Sequence, residues 1–226
     1  MCSRYARSLS SLRTIRDLPR AFLRHSPPWR KTRGLVRTCS LSFCRWIHAS
    51  ERVHLPPLGV SRMSGWSVGD GWLPWTKSCF VCGESNPHGL RLRSRVEGDR
   101  VVIRYVTREA DVGWRHLVHG GLSATLLDEA LTWAAILSLR RACVAAEITV
   151  RLKQPIRAGQ SIRVEGWTMA TRLSRLATTE GCIVDEAGTV LASGSGKYVP
   201  MPADGLPLCS QDFVRHPDAL HLPFLD

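Results

Sequence analysis

The stretch from Gly120 to Leu139 is the longest apolar run in the chain, and it carries two adjacent acids, Asp128 and Glu129, at its middle. Leu122, Leu126, Ala130, Trp133 and Leu137 recur at spacings of four, four, three and four, which is a helical stripe. The other faces hold Ala124, Leu127, Leu131, Ala134, Ala135 and Ile136. A helix apolar nearly all round is a buried helix. Twenty residues also suffice to cross a bilayer. A charged residue at the bilayer centre costs about 2.5–3.5 kcal/mol even on the lenient insertion scale, and here there are two. The pattern therefore predicts a core helix, not a membrane span.

The flanks alternate as strands do. Leu90, Leu92 and Val96 lead to the turn signal Glu97-Gly98-Asp99, and Val101, Val102, Ile103, Tyr105 and Val106 follow. This predicts a hairpin. Residues 107–118 read as a loop. Beyond the helix, Ile148, Val150 and Leu152 alternate with Thr149, Arg151 and Lys153. Ile162, Val164, Gly166 and Thr168 make a further strand, and Leu176, Thr178, Ile183 and Val184 another, closed by 185–188. Val190, Ala192 and Tyr198-Val199 form the last. The order predicts an α+β domain, one long central helix wrapped by an antiparallel sheet of five to six strands. One helix cannot cover every surface of such a sheet, so a partner subunit is expected.

The net charge of +12 suggests a nucleic-acid partner until it is divided by region. Residues 1–62 hold 13 Lys and Arg against Asp17 and Glu51, while the rest holds 18 against 17. The basicity belongs to the leader, and no nucleic-acid partner is expected for the folded part. The leader is Arg- and Ser-rich and poor in acids, as in a mitochondrial transit peptide. Its alternative is an initiation site assigned too early, since Met63 stands where the composition becomes ordinary. The expected location is the cytoplasm, or the mitochondrial matrix if the leader is a transit peptide. The expected organisation is leader 1–62, linker 63–78, folded domain 79–200 and tail 201–226. Five cysteines (79, 82, 143, 182 and 209) remain outside the leader, an odd set with no regular framework, which favours a reduced environment.

The chemistry concentrates in His119-Gly120-Gly121 and the acids that follow. Two glycines opening a helix let a ligand approach the backbone. The first N–H groups of a helix lack internal partners and sit at its positive end, a fitting place for a developing oxyanion. An acid inside the apolar helix is desolvated, the setting in which a general base is tuned. Gly120 and Asp128 lie eight residues apart, roughly 12 Å along the axis. One helix can hardly bring both to one carbonyl carbon. Two antiparallel helices from two subunits can, so a site across a subunit interface is expected.

His-Gly-Gly with an acid nine positions after the His resembles the phenylacetate-pathway (PaaI-type) branch of hotdog thioesterases. Cys79-Phe80-Val81-Cys82-Gly83, Asn86-Pro87-His88-Gly89-Leu90 and the Thr149…Pro155…Gly159 strand strengthen the resemblance, which covers about 125 residues. It implies a hotdog fold, dimers or tetramers, and hydrolysis of acyl-CoA to free acid and CoA. It implies Asp128 as base or nucleophile, Gly120 as oxyanion donor and His119 as an orienting residue. Gly121, Glu129, Trp133, Arg151 and Lys153 are the expected substrate-binding residues, with Glu129 also a rival acid about 100° round the helix. Two positions depart from the pattern: Gly113 stands where several members have Asn, and Ala145 where several have Ser or Thr.

Cys79-x-x-Cys82 also raises zinc, but a tetrahedral site wants four ligands and only His88 is near in sequence. A turn packing against the core is the expected role, with no metal and no cofactor. Arg151, Lys153, Arg157, Arg172, Arg175 and Lys197 are either contacts for CoA phosphates or a solvated strand face, and Glu147 is a candidate partner for them. The alternative function is a non-catalytic acyl-CoA or acyl-carrier binding module on the same fold.

Overall fold

The computed structural model describes residues 66, 68–202, 204–205 and 210–226. The leader 1–62 and Cys209 lie outside the described residues. In chain order the elements are β1 (Gly71–Trp72), β2 (Ser94–Glu97), β3 (Arg100–Val106), a 3-10 turn (Glu109–Asp111), β4 (Val112–Trp114), β5 (Leu117–Val118), α1 (Gly120–Leu139), β6 (Cys143–Leu152), β7 (Ser161–Arg172), β8 (Leu176–Asp185), β9 (Val190–Pro200) and a 3-10 turn (Pro223–Leu225). One antiparallel sheet runs β1-β2-β3-β7-β8-β9-β6, and β4 pairs with β5 separately. The six alternating segments contain the six longer strands, but the first is shorter than its pattern: Leu90 and Leu92 precede β2 and pair instead with the Phe80 and Val81 carbonyls. The seventh, β1, is a two-residue ladder too short to show a period.

The β2–β3 register pairs Glu97 with Arg100, leaving Gly98 and Asp99 as the hairpin turn. Gly98 has φ +60°, where a side chain would be strained. The expected loop at 107–118 is more ordered than its sequence suggests. It contains the first 3-10 turn and the β4–β5 pair, and Leu117 bridges to Arg157.

The central helix lies in a groove made of glycine. Gly166 of β7, Gly181 of β8 and Gly194 of β9 pair with one another in register, a row crossing three strands. A Cβ at Gly166 would stand 2.6 Å from the Ala130 carbonyl oxygen, one at Gly181 would be 3.0 Å from Leu131, and one at Gly194 would be 3.3 Å from Leu127. Missing side chains thus let the helix backbone approach the sheet. Thr168 Oγ1 then donates to the Ala134 carbonyl at 3.0 Å. Leu126, Leu127, Ala130, Leu131, Ala134 and Ala135 have no exposed surface. Full burial stabilises by about 1.5–3 kcal/mol for each leucine-sized side chain. The helix ends at Arg140, whose backbone is left-handed.

Described residues of the stretches expected as linker and tail pack with the domain. Leu73 is fully buried, and β1 adds to the sheet edge beside β2. Trp72 bridges to Ala219 and Thr76 to Phe213, while Leu222 and Leu225 are in the core. Short irregular segments can bury isolated apolar residues without any periodicity, which is why the pattern missed them.

Candidate active site

Helix α1 presents one strip that is not fully buried, formed by Gly121, Ala124, Thr125, Asp128, Glu129 and Thr132. The two acids leave this strip in different directions. Asp128 Oδ1 accepts from the Tyr198 hydroxyl at 2.8 Å and from Thr132 Oγ1 at 3.5 Å. Tyr198 is fully buried on β9, and the absence of a side chain at Gly196 makes room for its ring. Burial and the neighbouring Asp128 push the Tyr198 hydroxyl far above its ordinary value, so it stays a donor.

Glu129 does not share this site. Its Oε1 accepts from Trp133 Nε1 at 3.1 Å, and its carboxylate lies among the sulfurs of Cys79 and Cys82, all three groups within 4.8 Å of one another. Burial, then the charge of Cys79, raises Glu129 to about 7. The Cys82 side chain lowers Cys79 to about 6, and the same contact together with burial raises Cys82. Glu129, expected among the substrate-binding residues, thus meets the N-terminal segment: the 100° step round the helix turns it away from Asp128. Trp133, expected beside it, follows the same face. It is buried in the core, with its ring 6.4 Å from Phe213.

The His119-Gly120-Gly121 segment forms the helix start. His119 caps it: Nδ1 accepts from the Gly121 N–H at 2.9 Å and its carbonyl accepts from Leu122 N–H at 2.9 Å. This occupies the ring in orienting the turn. The Gly120 N–H, between these, meets no acceptor among the described residues. His119 N–H itself donates to the Asp111 carbonyl at 2.8 Å. Asp111 is held in turn by Tyr105, by Arg108 N–H at 2.7 Å and by Arg108 Nη2 at 2.9 Å. Burial would raise the Asp111 carboxyl, but these donors hold it below its ordinary value.

Beside the helix start is a cleft of about 260 Å³, lined in part by Gly120, Ser123, Leu152, Lys153 and Ile156. Lys153 thus stands beside Gly120. Arg151 is exposed on β6, opposite Ser193, and does not line this cleft. Lys197 pairs with Glu147 at 2.8 Å, the alternative to a phosphate contact. Asp128 is also outside the cleft, so one chain holds the Gly120 N–H and the Asp128 carboxylate at separate places.

Both departures from the motif have a structural counterpart. A Cβ at Gly113 would stand 2.7 Å from the His119 ring, so an Asn there would require the ring to shift. Ala145, where several members of the resembled branch have Ser or Thr, lies opposite Tyr198 in the β6–β9 ladder, and it is the Tyr198 hydroxyl that meets Asp128. Tyr198 went unrecognised in the sequence because it reads as an ordinary strand aromatic, and nothing local marks its partner.

The thioesterase superfamily model matches residues 116–196, which run from His116 to Gly196 and include the whole helix. No curated protein matches the chain. Among solved structures, a thioesterase superfamily protein is 25% identical, with 65% of this chain and 73% of that one covered and a TM-score of 0.52. The PaaI protein of the E. coli phenylacetic acid degradation operon is 21% identical over 49% of this chain and 78% of its own, with a TM-score of 0.44. Zebrafish thioesterase superfamily member 2 is 20% identical over 52% and 89%, with a TM-score of 0.47. Residues 116–196 are thus similar to the thioesterase superfamily, and the long helix against an antiparallel sheet is a hotdog fold.

Proposed function

We propose that this protein hydrolyses acyl-CoA thioesters and does so as a homo-oligomer whose site is shared between subunits. The observation that carries the reading is the Asp128 carboxylate, set at the middle of the buried helix, held by Tyr198 and not fully covered. A carboxylate so held is a positioned general base or nucleophile for a thioester carbonyl. Its oxyanion counterpart is the Gly120 N–H at the helix start. Because the two are roughly 12 Å apart along α1, the complete site takes Gly120 from one subunit and Asp128 from another.

The sheet supports an oligomer. Strand β6 is a ten-residue edge strand with most of its side chains exposed, among them Val144, Ile148 and Leu152. A long apolar edge left open invites pairing with a second copy. In that arrangement Arg151, on β6, faces the shared interface, and Lys153 beside Gly120 is the cation nearest the cleft for CoA phosphates.

The test is turnover of short, long and aromatic acyl-CoAs by the purified chain beside Asp128→Asn, with oligomeric state followed by sedimentation. Loss of on the order of a hundredfold or more in kcat with the oligomer intact supports Asp128 as the reacting group. Gly113, which packs on His119 where several members of the resembled branch have Asn, favours a second reading, a non-catalytic acyl-CoA or acyl-carrier binding module. Acyl-CoA binding without turnover by the parent protein would select it.

A further inference from the structure

The Cys79–Cys82 turn is built more carefully than packing alone requires. Val81 N–H donates to Cys79 Sγ at 3.2 Å, and Cys79 N–H donates to Thr76 Oγ1 at 3.1 Å. Thr76 Oγ1 also stands 3.7 Å from Cys82 Sγ. Gly83 N–H closes the turn on the Cys79 carbonyl at 2.9 Å. Any side chain at Gly83 would put its Cβ 2.2 Å from that same oxygen, so the turn needs a glycine there. The carbonyls around it are held outward: Ser78 accepts from Asn86, Phe80 from Leu90 N–H, Val81 from Leu92 N–H and Cys82 from Arg93. What faces inward is the pair of sulfurs, one half-buried and one buried.

Opposite them stands Glu129, 47 positions after Cys82 and on a different element. The two sulfurs and a Glu129 carboxylate oxygen lie within 4.8 Å of one another. In a tetrahedral site with Zn–S near 2.3 Å and Zn–O near 2.0–2.2 Å, neighbouring ligand atoms are about 3.3–3.8 Å apart. Movements of about 1 Å at two side chains close the present cluster to that spacing. The donor set is two thiolates and a carboxylate, which suits a thiophilic divalent cation and not magnesium or calcium. No further His, Cys, Asp or Glu joins the group among the described residues. His88, the one nearby candidate in the sequence, is exposed and outside it.

We propose that Cys79, Cys82 and Glu129 bind a thiophilic divalent cation, zinc foremost, with water in the fourth position, and that the ion clamps the N-terminal turn onto the middle of α1. Binding releases the thiol protons to solvent as the sulfurs take up the metal. The clamp sits one residue from Asp128, so it fixes the helix face that carries the proposed reacting carboxylate. It does not depend on the thioesterase reading, and its test does not use turnover.

The reduced, full-length chain, stripped with a chelator, is titrated with cobalt(II) and then with zinc in competition. The expected result is one equivalent per chain, a thiolate-to-cobalt charge-transfer band, tetrahedral d–d bands and a higher Tm with zinc. Cys79→Ser and Cys82→Ser each weaken or remove the charge-transfer band. Glu129→Gln, which preserves side-chain size, keeps that band but shifts the d–d bands and weakens zinc binding about tenfold or more. A folded, reduced chain that takes up no cobalt overturns the proposal. So does a cobalt spectrum unchanged in Glu129→Gln, or metal binding undiminished in the Cys79→Ser, Cys82→Ser double variant.

Discussion

The Tyr198 hydroxyl donates to Asp128 Oδ1 at 2.8 Å across a sequence separation of 70 residues. Tyr198 lies between Ala145 of β6 and Ala177 of β8 in the sheet, and neither neighbour carries a hydroxyl. A buried phenol held far above its ordinary value therefore supplies the donor that the carboxylate meets.

Tyr198→Phe removes that donor and little else, because the ring is fully buried and keeps its volume. A hydrogen bond to a charged acceptor contributes about 1.5–3 kcal/mol. The expected outcome is a Tm lowered by several degrees and kcat for acyl-CoA lowered about tenfold or more. Calorimetry and steady-state kinetics on the same preparation check it. Unchanged kcat would remove Tyr198 from the proposed site.

Gly166→Ala tests the glycine groove. The added methyl meets the Ala130 carbonyl oxygen at 2.6 Å and its carbon at 2.8 Å, both backbone atoms that cannot turn aside. Overpacking of this kind costs about 1–3 kcal/mol. The urea midpoint should fall accordingly. Gly188→Ala gives a contrast, since nothing lies within 4 Å there and the cost comes only from φ +80°.

His119 is expected to act by capping. His119→Ala leaves the Gly121 N–H without its acceptor and should cost about 1 kcal/mol, as other lost caps do. Asn is a strong capping residue, so His119→Asn should restore stability. If the ring only orients the Gly120 turn, Asn restores most turnover as well. Recovery of stability without turnover would show that the imidazole takes part in the reaction.

Asp111 gives a pH signature. Its native value lies below the ordinary 3.8, because Arg108 and Tyr105 outweigh the effect of burial. A carboxyl depressed on folding contributes stability that is fully present above 3.8 and is lost as pH falls through the lower native value. Asp111→Asn should be less stable than the parent at pH 7, and the two should converge as the medium is made strongly acid. Urea unfolding across pH 7 to 2 measures this. A gap that stays constant with pH would mean that the charge of Asp111 plays no part.

Much of the architecture was legible because it rests on local periods. The twenty-residue stripe from Gly120, the alternation at Ile148–Leu152 and the Gly98 turn are each decided by neighbours within a few residues. The same locality marked His119, Gly120 and Asp128, since a helix start and an acid among apolar residues are visible in one dimension. Strand register and helix rotation decided the rest. Register aligned Gly166, Gly181 and Gly194 beneath the helix and put Tyr198 opposite Ala145. Rotation separated Asp128 from Glu129 and turned the second acid toward Cys79 and Cys82. The cysteine turn showed no acid beside it in the sequence because Glu129, which meets it, is 47 residues away. Such pairings depend on which backbone atoms share hydrogen bonds across the sheet, and only the folded chain determines that.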